Sequence, residues 1–161
     1  MALIIPYIDY KAKRDAILTL LRDNVATLNQ DLTNGTFTNP TGQIIAGDIA
    51  ITPIFDVVYP VIMVKIINKS EEFRAIGSAG RKIPTLTFRI YGITQKIESD
   101  VDAEIMLLTK NLESVFRDNI SVNDNFLWVN PSFADFGAAE MQSGVWTSVV
   151  ALNLDCNLEV K

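Results

Sequence analysis

Two apolar runs, Pro60–Ile67 and Pro84–Tyr91, are joined by a polar stretch, Asn68–Ile83, and nothing else in the chain limits the fold as much. Val61-Ile-Met-Val-Lys-Ile-Ile67 is almost continuously apolar, the pattern of a strand covered on both faces. Its partner alternates. Leu86, Phe88 and Ile90 share one side, and Thr85, Thr87, Arg89 and Tyr91 share the other. Pro84 stands at the strand start, where a missing N–H is tolerated. The joining stretch is too short for a helical crossover, so antiparallel pairing is expected, as a long hairpin built into a sheet. The expected loop carries Lys69, Glu71, Glu72, Arg74, Arg81 and Lys82, with Gly77 and Gly80 between them. It reads as a charged, flexible tip.

A sheet needs a cover, and two segments have the periodicity to supply it. In Asp9–Asn29, residues Ile17, Leu20, Leu21, Val25 and Leu28 recur at helical spacing, while Lys11, Lys13, Arg14, Asp15, Arg22 and Asp23 mostly occupy the other faces. Asp9 suits the N-cap, and Asn34-Gly35 marks a stop or turn soon afterwards. The second helix is expected from Ser99, whose Ser-Asp-Val-Asp sequence forms a capping box with Asp102. Val101, Ile105, Leu108, Leu112, Val115 and Phe116 form its stripe, and Asn119 is its expected stop. Two helices with one apolar stripe each pack on a sheet rather than on one another.

The end of the chain is the clearest strand. Val150, Leu152, Leu154, Cys156, Leu158 and Val160 alternate with Ala151, Asn153, Asp155, Asn157 and Glu159, which predicts an extended element of ~35 Å with one wet face. Between these landmarks, Asn34–Gly42 reads as a loop, and Gln43–Ala46, Asp48–Thr52 and Phe126–Val129 as short strands. Pro53 and Pro60 bracket an extended piece, and an irregular stretch with Pro131, Gly137 and Gly144 precedes the last strand. The expected fold is α+β, one domain over residues 1–161, with a mainly antiparallel sheet flanked by two amphipathic helices.

Composition narrows the function. There is no histidine and one cysteine, Cys156. The commonest general base and transition-metal ligand are therefore missing, and so is any internal disulfide or multi-cysteine metal site. The net charge of −5 disfavours non-specific attraction to nucleic acid, which depends on an excess of Lys and Arg. No apolar run approaches the ~20 residues of a membrane span. The opening Met-Ala-Leu-Ile-Ile-Pro lacks the basic start of a signal peptide, so work or assembly in a cytoplasm is expected.

Each cluster of chemically capable residues has a plainer reading beside it. Glu98, Asp100, Asp102 and Glu104 could hold a hard cation. They surround a helix start without the spacing of a calcium loop, which favours capping and dipole stabilisation. Arg74–Lys82 has glycines, a serine and basic residues, but neither Gly-Lys-Ser nor Gly-Lys-Thr, and no helix pattern follows. Phosphate or nucleic-acid contact, a solvated loop and a protein-contacting tip all remain open. The mixture of Glu71 and Glu72 with basic residues favours the last. Cys156 lies on the apolar face of its strand and has no histidine to activate it, so it reads as a core residue. Trp128 and Trp146 read as core or interface anchors. The sequons at Asn34, Asn68 and Asn119 read as chance matches.

The order of these elements is an amphipathic helix, a Pro-containing extended piece, Tyr59-Pro60 leading into an apolar strand, and a charged loop. A strand ending at Tyr91-Gly92, an acid-capped helix and a closing strand pair follow. That order resembles the tail terminator (tail completion) proteins of long-tailed bacteriophages over most of the chain. The resemblance implies a virion protein assembled in the host cytoplasm, with no enzymatic activity, cofactor or metal. Such a subunit forms a hexameric ring on the tail tube, stops its polymerisation and presents a docking surface to the head connector, while DNA passes through the lumen. On this reading Lys69, Glu71, Glu72, Arg74, Arg81 and Lys82 meet another subunit or ring. The alternatives are a tail-tube subunit, a head-completion (neck) protein and, ranked lower, a nucleic-acid-binding module. A small enzyme of unknown chemistry is disfavoured by the missing histidine.

Overall fold

The computed structural model describes residues 8–48, 58–73, 82–96, 101–137, 140–142 and 145–158. Within them the order is α1 (Tyr10–Asp23), α2 (Val25–Leu28), α3 (Pro40–Gln43), β1 (Ile44–Ala46), β2 (Val61–Phe73), β3 (Lys82–Lys96), α4 (Val101–Asp118), β4 (Trp128–Phe136), β5 (Glu140–Gln142) and β6 (Val145–Asn157). The sheet runs β1-β2-β3-β6-β4, with β5 also on β6. Every pairing is antiparallel except β1 with β2. The expected α+β domain, an antiparallel sheet covered by two main helices, is the fold observed.

The hairpin is longer than its apolar residues suggest. Pairing runs from Val61 opposite Ile93 to Phe73 opposite Lys82, so Asn68–Phe73 and Lys82–Ile83, expected as loop, belong to strands. Charged side chains do not end a strand whose backbone bonds are already made on one side. A register shift between Ile66 and Asn68 leaves Ile67 as the extra residue of a bulge. That slip explains how an apolar run passes into a polar one without the pairing stopping.

One face of the sheet lies under α1 and α4. Ile62, Val64, Leu86, Phe88, Ile90, Val150, Leu152, Leu154 and Cys156 join Ile17, Leu20, Leu21, Ile105, Leu108, Leu112 and Phe116 in one buried core. α1 starts where the Asp9 carboxylate accepts the Ala12 N–H at 3.0 Å. It stops earlier than the expected Asn29. Asn24 leaves the helical conformation and turns its side chain onto the Leu20 carbonyl at 2.7 Å, and one short turn, α2, follows. α4 ends as expected at Asn119, whose Nδ2 donates to the Val115 carbonyl at 2.8 Å. Its expected cap, Ser99, lies outside the described residues, as do Ile49–Thr52 and Pro53.

The close fit of α4 on the sheet depends on Gly92. A Cβ there would meet Val150 Cγ1 at 3.0 Å and Leu108 Cδ2 at 3.1 Å, and both neighbours are fully buried. Two further corrections concern the second half of the chain. The irregular stretch around Pro131 is mostly a nine-residue edge strand, β4, with a register shift between Pro131 and Phe133. An edge is the place in a sheet where proline is tolerated. The last strand begins at Val145, five residues before the expected start.

Glu104, expected to act only through the helix dipole, is 3% exposed. Its carboxylate accepts the Thr33 N–H (2.8 Å), the Asn34 N–H (3.0 Å) and the Thr33 hydroxyl (3.1 Å), and so ties α4 to the loop after α2. Asn111 makes a parallel tie, donating to the carbonyls of Leu28 (2.9 Å) and Gln30 (2.8 Å).

Two outcomes follow. Gly92→Ala is expected to destabilise by ~1–3 kcal/mol through overpacking, read from the urea midpoint. Glu104→Ala is expected to lose on the order of 3 kcal/mol, because bonds to a charged acceptor are the stronger kind. Glu104→Gln is expected to keep more than half of that, since its carbonyl still accepts both N–H groups. Equal losses from the two Glu104 variants would show that the tie acts only by packing.

Candidate protein-interaction surface

The six residues expected at the hairpin tip divide into three groups. Lys69 and Glu71 are exposed on β2 and form an ion pair at 2.6 Å, and the Glu71 carboxylate holds the Lys69 ammonium above the usual lysine range. Glu72 and Lys82 lie on the paired strand ends, opposite Ile83 and Phe73. Arg74 and Arg81 lie outside the described residues. The hairpin outruns its neighbour, because β6 pairs with β3 only from Thr85 onward and the Leu158 N–H bonds the Pro84 carbonyl. Among the described residues its end therefore extends past β6. Two of the six expected interface charges, Lys69 and Glu71, already pair with each other within this strand.

The face of the sheet away from the helices has two parts. At one end Val61, Met63 and Ile93 form a second buried apolar cluster with Ile45, Tyr59, Tyr91 and Val149 packed against it. Toward the hairpin tip the face turns polar, and β3 bonds its β6 partner rung by rung. The Thr85 hydroxyl donates to Asn157 Oδ1 (2.5 Å), the Thr87 hydroxyl to Asp155 Oδ1 (2.8 Å) and Arg89 Nε to Asn153 Oδ1 (3.2 Å). On the neighbouring strand Lys65 is bonded to Asp48, whose carboxylate raises the lysine pKa. Of the described cations of this polar stretch, Lys65 is paired with a carboxylate, whereas Arg89 gives one N–H to a neutral amide and keeps its charge, and Asp135 and Asp155 lie on the same face. A polar surface that satisfies itself stays wet and offers little to a polyanion.

A third feature escaped the sequence. Eight large hydrophobic side chains are exposed among the described residues, and six of them flank or lie on β4: Met106 (56%), Ile120 (57%), Leu127 (48%), Trp128 (45%), Phe133 (58%) and Phe136 (49%). Met106 and Phe136 line a groove of about 290 Å³ with Asp102, Ile105 and Gly137. At the other end, the Val129 N–H donates to the Ile120 carbonyl at 2.8 Å, which fixes Ile120 and Leu127 beside the strand start. The loop between them holds Val122, Asn123 and Asp124 at positive φ (47°, 54° and 64°), a costly conformation for a β-branched residue. Burial of the Val122 side chain and the bond from Lys13 Nζ to the Asn125 carbonyl (2.6 Å) hold it there. Of the two tryptophans expected as anchors, Trp128 belongs to this exposed stripe and Trp146 is half-buried.

No family model matches the sequence, and no curated protein matches it. Among solved structures the chain is similar to a chain from the "Virion of native gene transfer agent (GTA) particle", at TM-score 0.39 and 9% identity over 91% of this chain and 93% of that one. The functional reading rests on the geometry, not on this likeness.

The chemistry of the described residues is sparse. They contain no group of three or more His, Cys, Asp or Glu placed to hold a metal ion, and no helix long and apolar enough to cross a membrane. Cys156 is fully buried and its thiol pKa is pushed up by desolvation, with a smaller contribution from Asp155. The unfolded thiol ionises near ~8.5 whereas the folded one does not, so this contribution to stability is complete below that pH and is lost as pH rises above it. A thiol reagent at pH 8 is expected to label Cys156 only at the unfolding rate, and at once in denaturant. Rapid labelling of the native protein would show an accessible thiolate.

Proposed function

We propose that this chain is a phage tail terminator, a structural subunit that closes into a ring of six copies on the tail tube, stops its growth and docks the head connector. One observation carries the reading: toward the hairpin the open face of the sheet is a polar ladder in which Lys65 is paired with Asp48 and Arg89 shares the face with Asp135 and Asp155. A wall of this kind suits a ring through which DNA passes, because the carboxylates Asp48, Asp135 and Asp155 outnumber the cations Lys65 and Arg89 among the described side chains of the polar stretch. The β2–β3 hairpin supports the docking part of the reading.

A tail-tube subunit or a neck protein would share the ladder and the hairpin. The three differ in what they limit. Loss of the gene in its phage is expected to give overlong, headless tails. Tails of normal length would move the assignment to the head side, and absent tails to the tube. Reversing charge at Arg74, Arg81 and Lys82 together is expected to abolish head joining while leaving the unfolding midpoint unchanged. Infectious particles from that variant would remove the hairpin from the interface. In filter binding at low salt the purified chain is expected to retain no duplex DNA, and retention would favour the nucleic-acid-binding alternative.

A further inference from the structure

Asn34 is the one asparagine of the chain that is followed by glycine. Such a pair carries a latent reaction, because glycine has no side chain to keep its backbone nitrogen away from the asparagine amide. A fold suppresses that reaction by burying the two groups or by bonding them. Here it does neither. Both residues are exposed in the loop between α2 and α3. The Asn34 side-chain amide and the Gly35 N–H have no hydrogen-bond partner among the described residues, whereas the side-chain amides of Asn24, Asn29, Asn111, Asn119 and Asn125 are bonded to carbonyls. Asn34 contributes its backbone N–H alone, to Glu104 at 3.0 Å. The glycine is not freely exchanged. Its φ is +116°, and an added Cβ would meet the Tyr59 carbonyl oxygen at 2.7 Å, so the fold keeps the reactive neighbour in place.

We infer that Asn34 is a site of spontaneous deamidation, and that the change loosens the tie between this loop and α4. The Gly35 nitrogen gives up its proton to base and attacks the Asn34 side-chain carbonyl carbon. A C–N bond forms there, the bond to the amide nitrogen breaks, and ammonia leaves with a proton taken from water. The five-membered succinimide that remains is opened by a second water at either carbonyl, to aspartate or to isoaspartate. Either product places a new carboxylate on the residue whose N–H bonds the Glu104 carboxylate, itself 3% exposed. Like charges this close disfavour each other, and more so where one is buried. The isoaspartyl form also adds a methylene to the main chain, where Gly35 has no spare room beside Tyr59. The site stands apart from the terminator reading and needs no assignment of function.

The test is ageing of the folded full chain at mildly alkaline pH, followed by peptide mapping. An amide-to-acid mass gain is expected in the peptide that holds Asn34, together with methylation of that peptide by a protein isoaspartyl methyltransferase. An exposed, unbonded loop opens at almost no cost, so the native rate is expected to lie within ~10-fold of the rate in denaturant. A native chain that stays unmodified at Asn34 while the denatured chain reacts would overturn the inference. Asn34→Gln, which keeps the backbone N–H to Glu104, is expected to fold normally and to abolish the gain. A gain undiminished in that variant would place the reaction elsewhere and overturn the inference too. The aged fraction, separated by its extra negative charge, is expected to unfold at a lower urea midpoint than fresh protein. Equal midpoints would overturn the effect on the α4 tie.

Discussion

The pairing of β3 with β6 is the interaction on which the rest of the molecule depends. Twelve consecutive residue pairs, Thr85–Asn157 through Lys96–Trp146, join strands 50 to 72 residues apart in sequence, and no other contact brings the two halves of the chain together so extensively. It sets the alternation of both strands in phase, so Leu86, Phe88 and Ile90 share a face with Leu154, Leu152 and Cys156. That face has no stable existence without a cover, and α1 and α4 supply it. Gly92 then sets how near α4 can come.

Toward the hairpin, the same phase makes the opposite face polar, beyond the apolar cluster of Val61, Met63 and Ile93. Thr85, Thr87 and Arg89 meet Asn157, Asp155 and Asn153 because they alternate with core residues on both strands, and each pair satisfies itself within the sheet. A face of this kind is stable in water, which is how the packing of one side reaches the proposed role of the other. The edges follow from topology in turn. β3 and β6 occupy the centre, with β2 and the short β1 on one side and β4 on the other, and the aromatic residues of β4 stand where nothing in the described chain covers them.

Much of this was legible in the sequence, and the misses have particular causes. The hairpin, α4 and β6 were found because their periodicities persist over many residues and agree with their ends. The loop of the hairpin was placed too early, because Lys69, Glu71 and Glu72 look like loop residues, although a strand projecting past its neighbours has no core to face. β4 was lost because Pro131 and the register shift at Ser132 break the alternation that marks a strand. Of the candidate surface, Lys69 and Glu71 are legible as charges, but their pairing with each other is invisible in the sequence. Phe133, Phe136 and Met106 were passed over, since an apolar residue in a one-dimensional pattern reads as core until its neighbours are known. Glu104 was read through its helix alone, and its partners Thr33 and Asn34 lie about seventy residues away.

The sequence by itself determined the fold class, the two helix stripes, the strand phases and the inert, buried Cys156, all of which depend on local periodicity and composition. Only the tertiary structure decided which strands stand at the edges, which face stays wet, how far the hairpin projects and where the unburied aromatic residues collect. The physical reason is that exposure belongs to an arrangement and not to a residue. Pro60–Ile67 and Pro84–Tyr91 carry the pattern of a hairpin in one dimension, but β6 on one side and β1 on the other decide which stretches of it are covered.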